Sequence, residues 1–344
     1  MQKNKGLSVL RGIFILMIVL HHLNLYYGGG TLGVAFFFML GGFVLSLGYY
    51  DKFCLLNFSW RAFIKKRCAK FFPLHWLCLL AVLPLALLPI IRGGADFKTI
   101  LWPLLSNVLL LQSLIPSQDF YFSFNAVSWY LSDTMIFAML FPIIVKATCK
   151  LSNTSKVVAL VVILLAYSVL VYFLPIEDRH AILYISPLVR VVDFILGIYL
   201  FLLYKKLTNH KTTDNYLNGG WPELLVSLMV VISIVVSCIS SEDIVLISAI
   251  YWLPLSIMLI LTSLTTPMEG KIYNLIIWIG DISLPIFLTH QVIIRYVNSF
   301  FGFIGIDNYP VRYTVILILI ITVSWLCDKY FLRPISLWLK ERIN

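Results

Sequence analysis

The sequence predicts an all-α polytopic membrane protein, with about ten transmembrane helices and one re-entrant or interfacial helix. Of its 344 residues, 60% are hydrophobic and 12% are charged, and the mean hydropathy is +0.94. This composition lies far outside the range of soluble globular domains. Apolar runs of helical length recur from end to end, whereas a membrane β-barrel would show short alternating segments. We expect a single membrane-embedded domain over residues 1–344, with no additional soluble domain.

Eleven apolar segments can be drawn along the chain. In order, they cover residues 7–27, 31–49, 71–91, 99–115, 127–148, 156–174, 184–204, 222–240, 244–264, 272–297 and 312–333. The first is too long for the apolar part of a cleavable signal peptide and lacks a small-residue cleavage site, so it is expected to be an uncleaved signal anchor. The fourth is the weakest because it is short and is interrupted by Pro103, Asn107 and Gln112.

The distribution of basic residues decides whether segment 99–115 crosses the membrane. Lys3 and Lys5 precede the first span, which places the N-terminus and the strongly basic loop 50–70 in the cytoplasm. If segment 99–115 crossed, the basic groups at 146–156, at 205–211 and in the C-terminal tail would all face outside. If it does not cross, they face the cytoplasm and the acidic loop 240–244 faces outside. We therefore predict ten spans, two cytoplasmic termini, and an outer re-entrant or interfacial helix at 99–115 whose backbone is covered by protein or water.

The same features argue against several other functions. The net charge of +10 comes from loops that flank apolar spans, so it reflects membrane topology rather than nucleic-acid binding. The six cysteines are scattered and form no C-x-x-C pair, so neither a zinc site nor a disulfide framework is predicted. No two histidines have metal-ligand spacing on one helix, and acidic residues are sparse, so no metal site is expected.

The first span contains two ionisable residues, Arg11 and His22, eleven positions apart. At about 100° and 1.5 Å per residue, they share one helix face to within roughly 20° and lie about 16 Å apart along the axis. Ionisable groups at such depth are costly and usually functional. His22 is predicted to be a buried neutral imidazole that acts as a general base, the alternative being a histidine that packs helices together. His21 points about 100° away and cannot share that role.

Two basic groups could bind a phosphorylated cofactor from the cytosol. Arg11 lies one or two turns inside its helix, where it could snorkel to the headgroups or grip phosphate through its planar fork. Basic and aromatic residues alternate over 59–73, which is typical of an interfacial helix on anionic lipid. The sharper alternative is that Arg67 and Lys70, three apart on one helix face, hold cofactor phosphates.

Later spans carry further polar residues. Asp133 follows the start of the fifth span, where the helix dipole favours a carboxylate, although in a membrane a polar cavity is the better explanation. Arg190 and Asp193 are three apart in the seventh span and are interpreted as a mostly structural pair. In the tenth, Pro285 is expected to kink the helix and His290 to form a hydrogen bond across helices.

Five stretches, in order, resemble the acyltransferase-3 family of integral membrane acyltransferases. Arg11-x10-His22 has the family's spacing in the first span. The other four are GVAFFFMLGGF at 33–43 against G-V-D-x-F-F-x-x-S-G-F, RCAKFFP at 67–73 against R-x-x-R-x-x-P, SWYLSD at 128–133 against S-W-S-L-x-x-E, and GDISLPIFLTH at 280–290 against G-x-x-S-Y-x-x-Y-L-x-H. There are departures: Ala35 replaces an acid, Gly41 a serine, Lys70 an arginine and Asp133 a glutamate.

This resemblance implies transfer of an acyl group, commonly acetyl, from acyl-CoA to a hydroxyl of a glycan in the bacterial plasma (inner) membrane. The implied acceptors are O-antigen, exopolysaccharide and lipid-linked sugars, and the implied co-substrate is acetyl-CoA. We expect His22 and Arg11 to be catalytic, with the CoA phosphates near Arg11, Arg67 and Lys70. Possible polar support comes from four further residues: His21, Ser128, Asp133 and His290.

Two other functional classes stay open for a basic polytopic chain. One is a glycan flippase or polymerase, which needs no cytosolic CoA site. The other is a non-catalytic membrane scaffold that binds acyl-CoA without turning it over. An acyltransferase binds acyl-CoA, whereas a flippase or polymerase is not expected to. An acyltransferase also turns acyl-CoA over, whereas the scaffold would only bind it. In every case the expected partners include membrane lipids and exclude nucleic acid.

Overall fold

The computed structural model describes residues 4–55, 58–91, 94, 96–209, 221–265, 270–305 and 308–343, and no β-strand occurs among them. Lys3 and Lys211, two of the basic residues used to predict topology, lie outside these ranges. The helices are α1 (Lys5–His22), α2 (Gly29–Leu55), α3 (Trp60–Ile91), α4 (Phe97–Val108), α5 (Gln118–Tyr121), α6 (Trp129–Lys150), α7 (Asn153–Phe173), α8 (Ile176–Arg179), α9 (Pro187–Asn209), α10 (Trp221–Ile239), α11 (Glu242–Val245), α12 (Ala249–Leu264), α13 (Lys271–Asp281), α14 (Ser283–Ile304), α15 (Tyr309–Cys327) and α16 (Arg333–Ile343).

The described helices confirm an all-α polytopic membrane protein. Eight helical segments are long and apolar enough to cross a bilayer, and α13 with α14 makes a ninth if the pair forms one span. The predicted span 244–264 corresponds to α12, which has 16 residues and is about 24 Å long, somewhat short of a hydrocarbon core of about 30 Å. The predicted interfacial segment before the third span is part of α3, which continues without a break into that span.

The predicted kink in the tenth span lies N-terminal to its proline. The break between α13 and α14 is at Ile282, and Pro285 is the third residue of α14. A proline in the first helical turn needs no backbone donor, so it is tolerated there. Pro285 therefore lies just inside a new helix rather than at the bend of a continuous one.

The chain divides into two compact units, each discontinuous in sequence. The first unit comprises Met1–Phe58 and Ile136–Asp281, and the second comprises Ser59–Met135 and Ile282–Asn344. A single domain over 1–344 stays a prediction. The residues expected to form the site belong to both units, so each unit is described separately below.

Glycines bring helix backbones into contact in the first unit. A Cβ atom on Gly197 of α9 would overlap the carbonyl of Met39 in α2, and one on Gly42 of α2 would overlap the carbonyl of Phe194 in α9. A Cβ on Gly280 of α13 would likewise overlap the carbonyl of Ser8 in α1. Small residues at such crossings are a main source of helix association in membranes, because the lipid offers no hydrophobic driving force between helices.

Contacts within the first unit agree with the predicted parity of its helices. Lys205 Nζ lies 2.6 Å from Asp51 Oδ1, which joins the end of α9 to the second half of α2. A disulfide also joins Cys54 near the end of α2 to Cys149 near the end of α6, with Cα atoms 6.0 Å apart. These ends share one side only if segment 99–115 does not cross. The disulfide corrects the expectation of no disulfide framework, since a fold can pair cysteines that sequence spacing does not connect.

In the second unit, the predicted non-crossing segment is α4, which ends at Val108. The chain then turns through Leu110, whose φ is 55°. Side chains of α3 bind the last carbonyls of α4, just before this turn. His75 Nε2 donates to the Asn107 carbonyl at 2.8 Å and Trp76 Nε1 to that of Val108 at 3.0 Å.

Two more carbonyls of the segment that follows α4 have side-chain donors. Ser132 Oγ donates to the Leu110 carbonyl at 2.7 Å, and Arg295 Nη1 donates to the Phe124 carbonyl at 2.6 Å. Non-helical backbone away from water requires such partners. Protein side chains therefore cover this backbone, as the sequence predicted for a re-entrant or interfacial segment.

Candidate active site

His22 is the last residue of α1, in the first unit. The helix stops there because Asn24 takes the left-handed conformation, with φ 57°, which asparagine adopts more easily than most residues. His22 Nδ1 lies 2.9 Å from the Ile18 carbonyl oxygen. A carbonyl only accepts, so a neutral His22 ring carries its proton on Nδ1 and a lone pair on Nε2. This tautomer can accept a proton from a substrate.

His21 packs differently from its neighbour. Its ring lies 5.1 Å from that of His22 at an interplanar angle of 87°. It also lies against Gly30 of α2, where a Cβ atom would be 2.8 Å from His21 Cδ2. His21 therefore fits into a space that a glycine leaves open, and its position agrees with the prediction that the two histidines point in different directions.

Arg11 lies on the same uninterrupted helix, α1, as His22. Eleven residues of continuous α-helix correspond to an axial separation of about 16 Å and a shared face. The Arg11 side chain is half-buried. Arg11 and His22 therefore lie on one continuous helix, and their spacing places them on the same face of it.

Arg67 and Lys70 lie on α3, in the second unit, each beside an aromatic ring. The Arg67 guanidinium carbon is 5.4 Å from the centre of the Phe63 ring, and Lys70 Nζ is 5.2 Å from that of Phe71. Cation–π contacts of this kind hold a basic side chain in place without neutralising its charge. Each of these basic side chains is therefore held beside an aromatic ring of its own helix.

Ser128 belongs to a buried polar network in the second unit. Its Oγ donates to Asn107 Oδ1 at 3.2 Å and accepts from Gln112 Nε2 at 3.1 Å. In the sequence, Asn107 and Gln112 only interrupted a weak apolar segment; in the fold they brace it against the start of α6. Ser128 precedes α6, and Asp133, the fifth residue of that helix, is fully buried.

His290 is fully buried on α14. Its Nδ1 lies 3.0 Å from the carbonyl oxygen of Ile286, four residues earlier on the same helix. The neighbouring Thr289 makes a bond between helices, with its Oγ1 2.9 Å from Ser324 Oγ of α15. Thr289 thus bonds across helices and the Nδ1 contact of His290 stays within its own helix, while a bond from His290 to another helix stays a prediction.

The sequence interpretation missed His75, which is fully buried on α3. It lies two residues after the proline of the R-x-x-K-F-F-P stretch, inside an apolar span. An ionisable residue inside such a span is usually functional or hydrogen-bonded, so the sequence did contain a signal that could have identified His75. Its described hydrogen bond supports the end of α4, which assigns it a structural role.

The local pair predicted at Arg190 and Asp193 is present in the first unit. Arg190 Nη1 lies 2.9 Å from Asp193 Oδ2, and both side chains are buried. Trp252 Nε1 donates to Asp193 Oδ1 at 2.5 Å, and the Arg190 guanidinium lies 5.2 Å from the centre of the Phe38 ring. These contacts join α9 to α12 and α2, as expected for a structural ion pair.

The predicted site residues are divided between the two units. The first unit contains Arg11, His21 and His22, and the second contains Arg67, Lys70, Ser128, Asp133 and His290. Among the described residues, no group of three or more histidine, cysteine, aspartate or glutamate side chains could hold a metal ion.

Comparison with known proteins agrees with the motifs. A family model described as an acyltransferase domain, acyltransferase-3, matches residues 4–329. A curated protein, Acyltransferase MdmB of Streptomyces mycarofaciens, is 35% identical over 117 residues, which is 33% of this chain and 28% of that protein. The match thus spans little more than a quarter of that relative's length. No solved structure shows significant similarity to the chain. Because the family model covers nearly the whole sequence, this integral membrane protein belongs to the acyltransferase-3 family.

Proposed function

We propose that this protein is a membrane-embedded O-acyltransferase that moves an acyl group, in the first instance acetyl, from acyl-CoA to a hydroxyl of a cell-envelope or extracellular glycan. The observation that carries the proposal is the 2.9 Å distance between His22 Nδ1 and the carbonyl oxygen of Ile18. The Ile18 carbonyl fixes the proton on Nδ1, so Nε2 is the basic atom of the neutral ring. Family membership supports acyl transfer as the reaction class, and His22 is a side chain that could act as the general base in it.

In the proposed reaction, His22 Nε2 removes the proton of the acceptor hydroxyl as its oxygen attacks the thioester carbonyl. The new C–O bond forms, the C–S bond breaks, and the CoA sulfur leaves with the proton that His22 then returns. General-base catalysis of this kind contributes roughly 10²- to 10⁴-fold in rate, with positioning adding more. The oxyanion needs hydrogen-bond donors, and the family resemblance favours polar groups of the fifth and tenth predicted spans. The residues proposed as general polar support of the site are His21, Ser128, Asp133 and His290.

The donor is proposed to bind through its phosphates at Arg11, Arg67 and Lys70. Arginine grips phosphate through a planar fork, whereas Lys70 acts as a point charge. About 16 Å of α1 separates Arg11 from His22, so a donor bound at both needs a long flexible arm between its phosphates and its reactive carbonyl. Acyl-CoA has this shape. In this proposal both termini face the cytoplasm of a bacterial cell, where acyl-CoA is made.

The test is transfer of labelled acetyl from acetyl-CoA into alkali-labile ester on envelope glycan. Membranes containing the wild type are compared with His22→Ala at matched expression, and with His180→Ala, which changes a partly buried histidine elsewhere in the first unit. Label with the wild type and His180→Ala but not with His22→Ala supports the proposal. Wild-type transfer by His22→Ala would refute the base assignment. Absence of label with every protein, together with absence of acyl-CoA binding, would favour a flippase or polymerase.

A further inference from the structure

A solvent-exposed aromatic and acidic patch lies beside the histidines of α1, in the same unit. Tyr27 follows His22 by five residues, and its ring is 6.4 Å from that of His21. The ring is 48% exposed, although it neighbours the end of an apolar helix. Its hydroxyl lies near the carboxylates of Glu242 and Asp243. Partial burial, followed by these two carboxylates, raises the pKa of Tyr27.

The connection that carries Tyr27 is held firmly against α10. Gly28, with φ 79°, approaches α10 so closely that a Cβ atom there would lie 2.8 Å from that of Ser237. The Tyr26 hydroxyl is hydrogen-bonded to Ser237 Oγ. The position of the Tyr27 ring relative to the end of α1 is therefore set by packing.

A buried hydroxyl next to the patch has no hydrogen-bond partner among the described residues. Tyr251 of α12 is fully buried, and its oxygen has no donor or acceptor there. This phenol lies near the hydroxyls of Tyr26 and Tyr27 and near the thiol of Cys238. A buried polar atom without a partner in the described protein requires an explanation.

We propose that Tyr27, Glu242 and Tyr251 form the subsite for the acceptor, and that the acceptor sugar is neutral. The inference rests on the proposed acyltransferase function. An exposed ring offers a flat face to the C–H groups of a sugar, and carboxylates accept hydrogen bonds from its hydroxyls. Residues 240–244 contain Glu242 and Asp243 and no basic residue. Two negative charges repel a uronate or a phosphate, by roughly fivefold in affinity or more.

The test uses two acceptor probes that differ only in charge, hexyl β-glucoside and hexyl β-glucuronide, with labelled acetyl-CoA and full-length protein in membranes. We expect Tyr27→Ala to raise the KM for the glucoside about tenfold, with little change in kcat or in the KM for acetyl-CoA. Tyr27→Phe keeps the ring and should lose less. The matched control is Tyr172→Ala, which removes a ring that is 79% exposed elsewhere in the unit and should change neither KM.

The preference of the enzyme for a neutral over a charged acceptor is a second measurement. It should not change if Glu242 and Asp243 had only a structural role. The double variant E242Q/D243N should narrow the preference for glucoside over glucuronide by roughly fivefold or more. A wild-type preference for the glucuronide would overturn the neutral-sugar assignment. Unchanged kinetics in Tyr27→Ala and in E242Q/D243N would overturn the subsite while leaving the acyltransferase function standing.

Binding can also be followed without turnover, through the exposed Cys238. The glucoside should slow the reaction of Cys238 with a membrane-impermeant maleimide, measured by peptide mass spectrometry, and Tyr27→Ala should remove that protection. Protection without any acyl transfer would support the subsite while the proposed function failed. Equal labelling of Cys238 with and without the glucoside would refute the subsite.

Discussion

Removing Arg190 alone should destabilise the protein far more than removing the whole ion pair to which it belongs. At 2.9 Å between Arg190 Nη1 and Asp193 Oδ2, the gross attraction is roughly 6 kcal/mol with an effective dielectric constant of about 20. Desolvation of two buried charges offsets most of it. Arg190→Leu leaves the Asp193 carboxylate buried with its cation gone, which costs about 3–5 kcal/mol.

The double variant R190L/D193L removes both charges and fills the space with apolar atoms. It should unfold within about 1–2 kcal/mol of the wild type, because replacing a buried pair by hydrophobic side chains is often neutral or stabilising. The assay is unfolding of the purified protein in mixed micelles of increasing dodecyl sulfate content, followed by loss of helical circular dichroism. Wild-type stability for Arg190→Leu, or a double variant less stable than Arg190→Leu, would refute this account of the pair.

Three further results are expected. His22→Ala should lower kcat for acetyl transfer by roughly 10²- to 10⁴-fold and leave the KM for acetyl-CoA near its wild-type value in steady-state assays; an unchanged kcat would exclude the base role. Gly197→Ala should destabilise the first unit by roughly 1–3 kcal/mol in micelle unfolding, because the added Cβ would overlap a backbone carbonyl of α2. Gly41→Ala, whose Cβ would meet only a ring edge at 3.7 Å, is the matched control and should cost clearly less. In a variant that retains only Cys54 and Cys149, mild oxidation should cross-link the two cysteines, seen as a peptide joined by a disulfide; failure to cross-link under oxidant would contradict their 6.0 Å Cα separation.

The sequence predicted an all-α polytopic membrane protein correctly because this class follows from summed properties, although eight or nine described segments qualify as spans where ten were predicted. Apolar length marks each span, and the lysines near 150 and 205 decide that segment 99–115 does not cross. The 12-residue length of α4 and the contact of Lys205 with Asp51 agree with this topology, and the side of the membrane that each end faces stays a prediction. The relation between Arg11 and His22 could be predicted for a related reason. Both residues lie on one helix, so their spacing in the sequence alone determines that they share a helix face.

Features built from distant contacts could not be predicted in the same way. Leu110 and Phe124 both have φ near 55°, although neither residue type favours that conformation. His75 gave a signal as a buried ionisable residue, but its partner, 32 residues away, follows only from the fold. The patch around Tyr27 could not be predicted because Glu242 is distant in the sequence, and only the fold places it near the tyrosine.

The end of α4 and the segment that follows it have a consequence for the order of biosynthesis. Carbonyls at the end of α4 are bound by side chains made before them, His75 and Trp76, whereas carbonyls of the following segment are bound by side chains made later. Arg295, which binds the Phe124 carbonyl, is made 171 residues later. At roughly 5–20 residues per second, the ribosome needs about 10 to 30 seconds to synthesise that stretch. During this interval the Phe124 carbonyl must be solvated by water or by the insertion machinery, so the segment joins the folded membrane domain late.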